Sequence, residues 1–297
     1  MPEYVNKIRT TDGDLPVNYN ALANLPTISN PNLLINGDFR NPVNQRGQTT
    51  YAPSKNVLVY TIDRWGIFPS LNDGSGHSIT VNDGYITFAN TNDSMSAYLI
   101  QHLEKPLSGT YTLSVKVRSA TKAFTLAYRD NGTVYNAMTL NVGINSATIE
   151  CTSLDFIRFG VSSTASADIE WVKLEVGNTP TEFSPRIYAE EVEMCKRYYN
   201  RITSHSFNMV AFTASAISGA IPFNKSMRVT PTVSIIDFRY LDHSIGSYVT
   251  PAETSVNTEY TNNSCAVIQI TKNTQSTLTK GSSVQGVIHV EFDAEIY

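Results

Sequence analysis

The chain has 297 residues, 22 Lys and Arg against 26 Asp and Glu, and a net charge of −4. Its 41% hydrophobic content is too high for a disordered chain, and its length suits about two domains. Charged residues are only 16%, and no basic cluster is longer than Lys196-Arg197, so a nucleic-acid partner is not expected.

Residues 1–30 show little periodicity. Pro16 and Pro26 interrupt them, and Asp12-Gly13-Asp14 marks a turn. Residues 31–186 read as one all-β domain. Tyr111, Leu113, Val115 and Val117 alternate with Thr112, Ser114, Lys116 and Arg118; Phe124, Leu126 and Tyr128 repeat the pattern. Asn82-Asp83-Gly84 and Asp130-Asn131-Gly132 supply hairpin turns. Met138, Leu140 and Val142, then Ile157, Phe159 and Val161, add strands. With no helix between them, this spacing predicts a sandwich. Trp65 is expected in its core.

Next comes a joint. Val172, Leu174 and Val176 alternate with Lys173 and Glu175 as in a half-buried strand, and Gly177-Asn178 and Pro180 end it. Trp171 is out of phase with Val172 and Leu174 and should face the opposite side. Ser184 can cap a helix and Pro185 suits its first position. Tyr188, Val192, Cys195 and Tyr199 form one helical stripe, expected to be buried, so 187–202 is taken as a helical joint. Residues 203–297 form a second, smaller β domain. Gly286, Ile288, Val290, Phe292, Ala294 and Ile296 give its cleanest alternation, Val233–Tyr240 and Ala266–Ile270 are further strands, and a polar loop is expected from Asp242 to Asn263. The fold class is therefore all-β: two β-sandwiches joined by one short α-helix.

Catalytic motifs are missing. Gly74-Ser75-Gly76-His77 lacks the strand and helix of a nucleophile elbow, and there is no His-Glu-x-x-His, phosphate loop or Gly-x-Gly-x-x-Gly. No enzyme is expected and no cofactor is required. Cys151, Cys195 and Cys265 are an odd, widely spaced set, neither a disulfide framework nor a zinc site, and all three are expected as buried thiols. The start, Met1-Pro2-Glu3-Tyr4, has no signal-peptide pattern, and no apolar run approaches the roughly 18 residues of a membrane span, so no membrane insertion is expected. In the second β domain, Arg239, Tyr240, Asp242 and His243 combine an aromatic face, a guanidinium, a carboxylate and an imidazole within five residues. That mixture suits carbohydrate binding, although a solvated loop edge would look the same. Tyr248 and Tyr260 belong to the same loop region and could extend a stacking platform.

Four phrases resemble phage and prophage tail-fibre proteins. Trp171–Phe183 followed by Glu191–Tyr199 is similar to their "W-x-K-L-E-x-G-x-x-P-T-x-F" strand end and "E-x-x-x-C-x-R-Y-Y" helix. Tyr19–Ile28 resembles a segment near the start of such fibres. Asn32–Phe39 with Asp63-Arg64-Trp65 resembles the opening of their carbohydrate-module-like jelly roll, and Pro222–Val233 the start of a distal lectin-like domain. The resemblance implies a receptor-binding fibre: an N-terminal attachment segment for other tail or baseplate proteins, a jelly roll, a joint, and a C-terminal domain that touches a host-surface glycan. It also implies a homotrimer in the virion, made in the bacterial cytoplasm. Related jelly rolls often hold a structural calcium at the opening turn, which makes Asp38 and Asp168 the candidate ligands. A structural baseplate adaptor, or a polysaccharide depolymerase, is the competing expectation.

Overall fold

Strand β8 (Ser96–Ala120) is 25 residues long and β11 (Gly143–Ser162) is 20, and the two pair antiparallel from Gly143↔Val117 to Ser162↔Ser96. Each bends midway and so belongs to both layers of a sandwich. The computed structural model describes residues 7–10, 13–16, 29–52, 57–69, 76–92, 96–162, 164–242, 246–256, 260–271 and 278–296.

Around this pair lie β3 (Thr50–Tyr51), β4 (Val59–Tyr60), β5 (Gly66–Pro69), β6 (His77–Asn82), β7 (Tyr85–Asn90), β9 (Phe124–Asp130), β10 (Thr133–Leu140) and β12 (Ala165–Val176). The first half of β8 pairs with β5, and the second half of β11 with β9 and β10 beyond it. The second half of β8 pairs with β12, then β7, β6 and β3 follow. Ala97 and Leu99 from one half of β8 and Leu113, Val115 and Val117 from the other meet in a single core with Trp65, Phe88, Phe124 and Phe159. The hairpin between β9 and β10 turns at Asn131 and Gly132, with φ of 48° and 79°, the positive values that a tight turn requires. Before this sandwich, β1 (Lys7–Thr10) pairs with β2 (Gly13–Pro16), so Gly13 and Asp14 belong to a strand rather than to the expected turn. The Tyr19–Ile28 phrase lies outside the described residues.

Helix α1 (Tyr188–Cys195) follows, shorter than the sequence suggested. Its N-cap is Ile187, without a side-chain cap, so Ser184 does not start it. The expected stripe is buried only in part: Cys195 and Tyr199 are buried and Val192 is half-buried. Tyr188 is 48% exposed and Tyr199 already begins the next strand; Glu191 and Cys195, at i and i+4, face inward.

The second sheet contains β13 (Tyr199–Ala211), β14 (Ala216–Pro222), β15 (Thr232–Asp242), β16 (Ser247–Val249), β17 (Glu253–Val256), β18 (Cys265–Thr271) and β19 (Ser283–Asp293). The region expected as one loop from Asp242 thus contains β16 and β17. Strand order is β16-β15-β19-β13-β14-β18-β17, and β13 touches β14 through only Val210↔Ser218 and Ala211↔Ile217. At that corner the sheet folds over itself. Phe238, Tyr240, Ile288, Val290 and Phe292 from one side then pack with Ile217, Ile221, Ala266, Ile268 and Ile270 from the other. The architecture is all-β, as the alternation implied. Cys151 and Cys195 are buried, whereas Cys265 is only half-buried, contrary to expectation.

Candidate functional site: a charged joint and the clefts beside it

Three of the four fibre-like phrases meet between the two sheets. Asn36 takes a left-handed φ of 58°. Its side-chain amide donates to the carbonyls of Val43 (2.9 Å) and Asp63 (2.8 Å), and its own carbonyl accepts from the Trp65 indole at 2.8 Å. Its backbone N–H donates to Glu191 of α1 at 2.5 Å, and Arg186 also holds that carboxylate, at 3.1 Å. That is why a glutamate rather than a tyrosine faces inward: its partners are buried donors, which would be costly to leave unpaired. At Gly37 a Cβ would lie 2.6 Å from the Val172 carbonyl oxygen, so only glycine allows this close approach to β12.

Lys173 and Glu175 do not face water as half-buried alternation implied. Both are buried and paired at 3.0 Å, and Lys173 also donates to Thr181 Oγ1 (2.6 Å) and the Glu182 carbonyl (3.0 Å). The returning loop at 181–182 therefore covers an ion pair whose donors and acceptors are satisfied. Trp171 stacks on Phe183 at 4.6 Å and 9°, with Arg40 over the other ring at 5.2 Å.

Arg64 is the centre of the contact between the sheets. It is 1% exposed and takes a φ of 69°. Its guanidinium donates to Glu295 at 2.5 Å and to the His102 carbonyl at 2.5 Å, and it lies 3.7 Å from the centre of the Tyr198 ring. Arg228, from the Pro222–Val233 phrase, donates to the carbonyls of Ala294 and Glu295, both at 3.0 Å, and thereby fixes the segment that carries Glu295. Tyr60 donates to the Ile296 carbonyl. Beside them Arg46 lies 3.8 Å over the Tyr199 ring, and Gln45 bridges Asp63 (2.7 Å) and the Tyr199 carbonyl (2.6 Å). Burial pushes the Asp63 carboxyl up to about 7, outweighing the nearby Arg46 cation. Arg197 and Tyr198 hold Glu104 down to about 2, mainly through the Arg197 hydrogen bond. Burial raises the Cys195 thiol well above its ordinary value, which suits an inert core thiol.

The proposed carbohydrate residues are scattered. Tyr240 is fully buried, packed in the second core, and cannot stack on a ligand. Arg239, on the opposite face, pairs with Asp237 at 3.3 Å in the open. Asp242 ends β15, its backbone paired with Ser247, and His243 lies outside the described residues. Tyr248 and Tyr260 are exposed, but Tyr248 is on β16 and Tyr260 precedes β18, near the other end of the strand order. Tyr248 donates to Gln285 at 3.0 Å, and Gln285 donates to Ser206 at 2.9 Å, a polar row across the outer face.

Asp38 and Asp168 do not form a calcium cage. Arg40 takes both oxygens of Asp38, at 2.7 and 3.0 Å, while Asp168 accepts from Thr87 and Ser119, each at 2.7 Å. Asp38 opposes Trp171, three residues along β12 from Asp168, or about 10 Å. Among the described residues no three His, Cys, Asp or Glu side chains converge as metal ligands would.

Several clefts flank the joint, and none was legible in the sequence. One, of about 600 Å³, is lined by Arg46, Tyr51, Tyr60, Tyr199, Glu291 and Asp293 among others. Another, of about 340 Å³, includes Lys196, His205, Asn224 and Lys225. No periodic signal marks these clefts, because their walls come from elements far apart in sequence.

No family model matches the sequence, and no curated protein matches it. Several solved structures do. A point mutant of a family 29 carbohydrate-binding module is 10% identical over 47% of this chain and 100% of that chain, with a TM-score of 0.30. A second mutant, complexed with mannohexaose, is 9% identical over 43% of this chain and 90% of its own, with a TM-score of 0.29. A structure described as CBM4 is 17% identical over 37% of this chain and 86% of its own, with a TM-score of 0.26. At these identities and scores the likeness carries no argument about ligand or site.

Proposed function

We propose that the chain is a phage or prophage tail-fibre protein that attaches the particle to a host-surface glycan through its distal β domain, residues 203–297. One observation carries the reading. The phrases by which the sequence resembles fibre proteins, at Asn32–Phe39, Asp63–Trp65, Trp171–Tyr199 and Pro222–Val233, meet in a single joint whose polar groups hold the two sheets together. A receptor-binding fibre needs a distal domain held in fixed orientation, so that several weak sites can engage one surface together. In this reading residues 1–30 attach to other tail or baseplate proteins and three chains form the fibre. Residues 31–186 are the jelly roll, and the outer face carrying Arg239, Tyr248 and Gln285 meets the glycan. The protein acts by binding rather than by catalysis and works in the virion.

The test uses the full chain. Its mass in solution should be that of a trimer, and it should adsorb to cells of at least one bacterial strain in a panel. Adsorption should weaken in a full-length Arg239→Ala, Tyr248→Ala, Tyr260→Ala variant with an unchanged melt. A stable monomer that adsorbs to no strain would favour the adaptor reading. Reducing ends released from host polysaccharide would favour the depolymerase.

A further inference from the structure

The cleft of about 340 Å³ lies where the end of α1, the start of β13 and the turn after β14 meet, within the size range of ligand pockets. Its polar lining among the described residues comprises Lys196, Asn200, Arg201, His205, Asn224 and Lys225, with no carboxylate among them. In a chain with a net charge of −4 and only 22 basic residues, that concentration of cations is unusual. The nearest acids stand outside the lining. Glu193 pairs with Lys196 at 2.7 Å, and Glu291 lies 3.5 Å from Arg201. Arg201 also donates to the Arg46 carbonyl at 2.7 Å and to His289 at 3.1 Å, so its guanidinium is fixed in place. Lys225 is exposed and forms no ion pair among the described residues.

The backbone of the same wall is irregular. Pairing of β13 with β19 slips between Ile202 and His205, and Ser204 takes a φ of 53°, a left-handed value uncommon outside glycine. Such a bulge re-aims the side chains that follow it, here His205, and bulges concentrate beside functional sites. Asn224 and Lys225 belong to the Pro222–Val233 phrase but, unlike Met227 and Arg228, they do not bind the joint. Met227 is buried and Arg228 is held by the C-terminal carbonyls, whereas Asn224 and Lys225 remain open to the cleft.

We propose that this cleft binds an anionic saccharide, a sugar unit bearing a carboxylate or a phosphate. Lys225, Lys196 and Arg201 receive the charge, Asn200 and Asn224 read ring hydroxyls, and Ile202 and Pro222 form the apolar wall for the sugar's C–H face. That the anion sits on a sugar rests on the host-glycan reading; that it is an anion rests on the cleft alone.

The test titrates the full chain by NMR or calorimetry with three probes: a uronate oligosaccharide, its fully methyl-esterified form, and a glycerol-phosphate oligomer. One or both anionic probes should bind, and which one does identifies the source of the charge. The ester, which keeps the chain and loses the charge, should bind about tenfold more weakly or worse, and raised salt should weaken the anionic complex. Lys225→Glu should weaken that complex by about tenfold or more, and Asn224→Ala by less, with melts unchanged because both positions are exposed. Equal binding of the ester, binding undiminished in Lys225→Glu, or failure of both anionic probes would overturn the proposal. Adsorption to host cells is scored separately. A Lys225→Glu chain that adsorbs like the parent removes the cleft from recognition and leaves the fibre reading standing. A parent chain that binds the uronate but no cells does the reverse.

Discussion

Arg64 and Lys225 are both cations in a chain with few, and their surroundings differ in every respect. Arg64 is buried between Glu295, a backbone carbonyl and an aromatic ring; Lys225 is exposed, with no acid among the described residues that line its cleft. A buried charge held by an ion partner fixes geometry, and that partner cannot be removed without leaving an uncompensated ion. An exposed charge without a partner adds little to stability and stays free to meet a ligand. Side chains of the same class thus serve alignment in one place and, by our proposal, recognition in the other.

The comparison breaks most readily at the joint. A chain stopped at Arg186 keeps every member of the first core and should still melt cooperatively, but well below the full chain, because Arg64 loses Glu295 and Asn36 loses Glu191. An insoluble or molten product would place the boundary elsewhere. In the full chain, Glu295→Ala should cost about 3–5 kcal/mol in urea unfolding, and adding Arg64→Met should recover much of that. A loss near zero would mean that Arg64 reaches water. Glu191→Ala should cost about 1–3 kcal/mol and Tyr188→Ala about 0.5 or less. Equal losses would restore the helical stripe that the sequence suggested.

A smaller effect comes from Asp63. Unfolded, its carboxyl ionises near about 4; folded, burial holds the proton to about 7. The folded state therefore binds more protons between those values. The stabilisation from this group is fully present below about pH 4 and is lost as pH rises through about 7. Urea midpoints from pH 5 to 8 should fall more for the parent chain than for Asp63→Asn. Glu104 acts in the opposite sense, its contribution being lost as pH falls toward about 2, outside that range. Identical profiles would show that Arg46 keeps Asp63 ionised throughout.

The alternation of Tyr111–Val117, Phe124–Tyr128 and Gly286–Phe292 made both sandwiches legible, because each run keeps one phase against one core. Trp65, read as a core tryptophan at a strand start, is indeed fully buried. Tyr240 was not legible as core. The pairing of β15 with β19 slips between Ile235 and Asp237, which leaves Ile236 exposed and swings Phe238 and Tyr240 inward. A bulge leaves no local mark in composition, and it turned a proposed platform into core. Glu191 and Arg64 were equally hidden, since their partners lie 155 and 231 residues away. The clefts share that difficulty: their walls are assembled only when distant segments meet.

Those separations have a consequence for synthesis. Leu33 is tied to Leu174, Asn36 to Glu191, and Arg64 to Glu295. Most of the first sandwich leaves the ribosome before its opening turn has a partner, and Arg64 waits for its carboxylate through a further 231 residues. Contacts this distant in sequence form slowly, and the unfinished chain exposes strand edges while it waits. Ribosome-bound chains stalled before residue 295 has cleared the exit tunnel should therefore be more protease-sensitive around Arg64 than chains stalled after it has, with the segment that carries Glu295 acting as the latch.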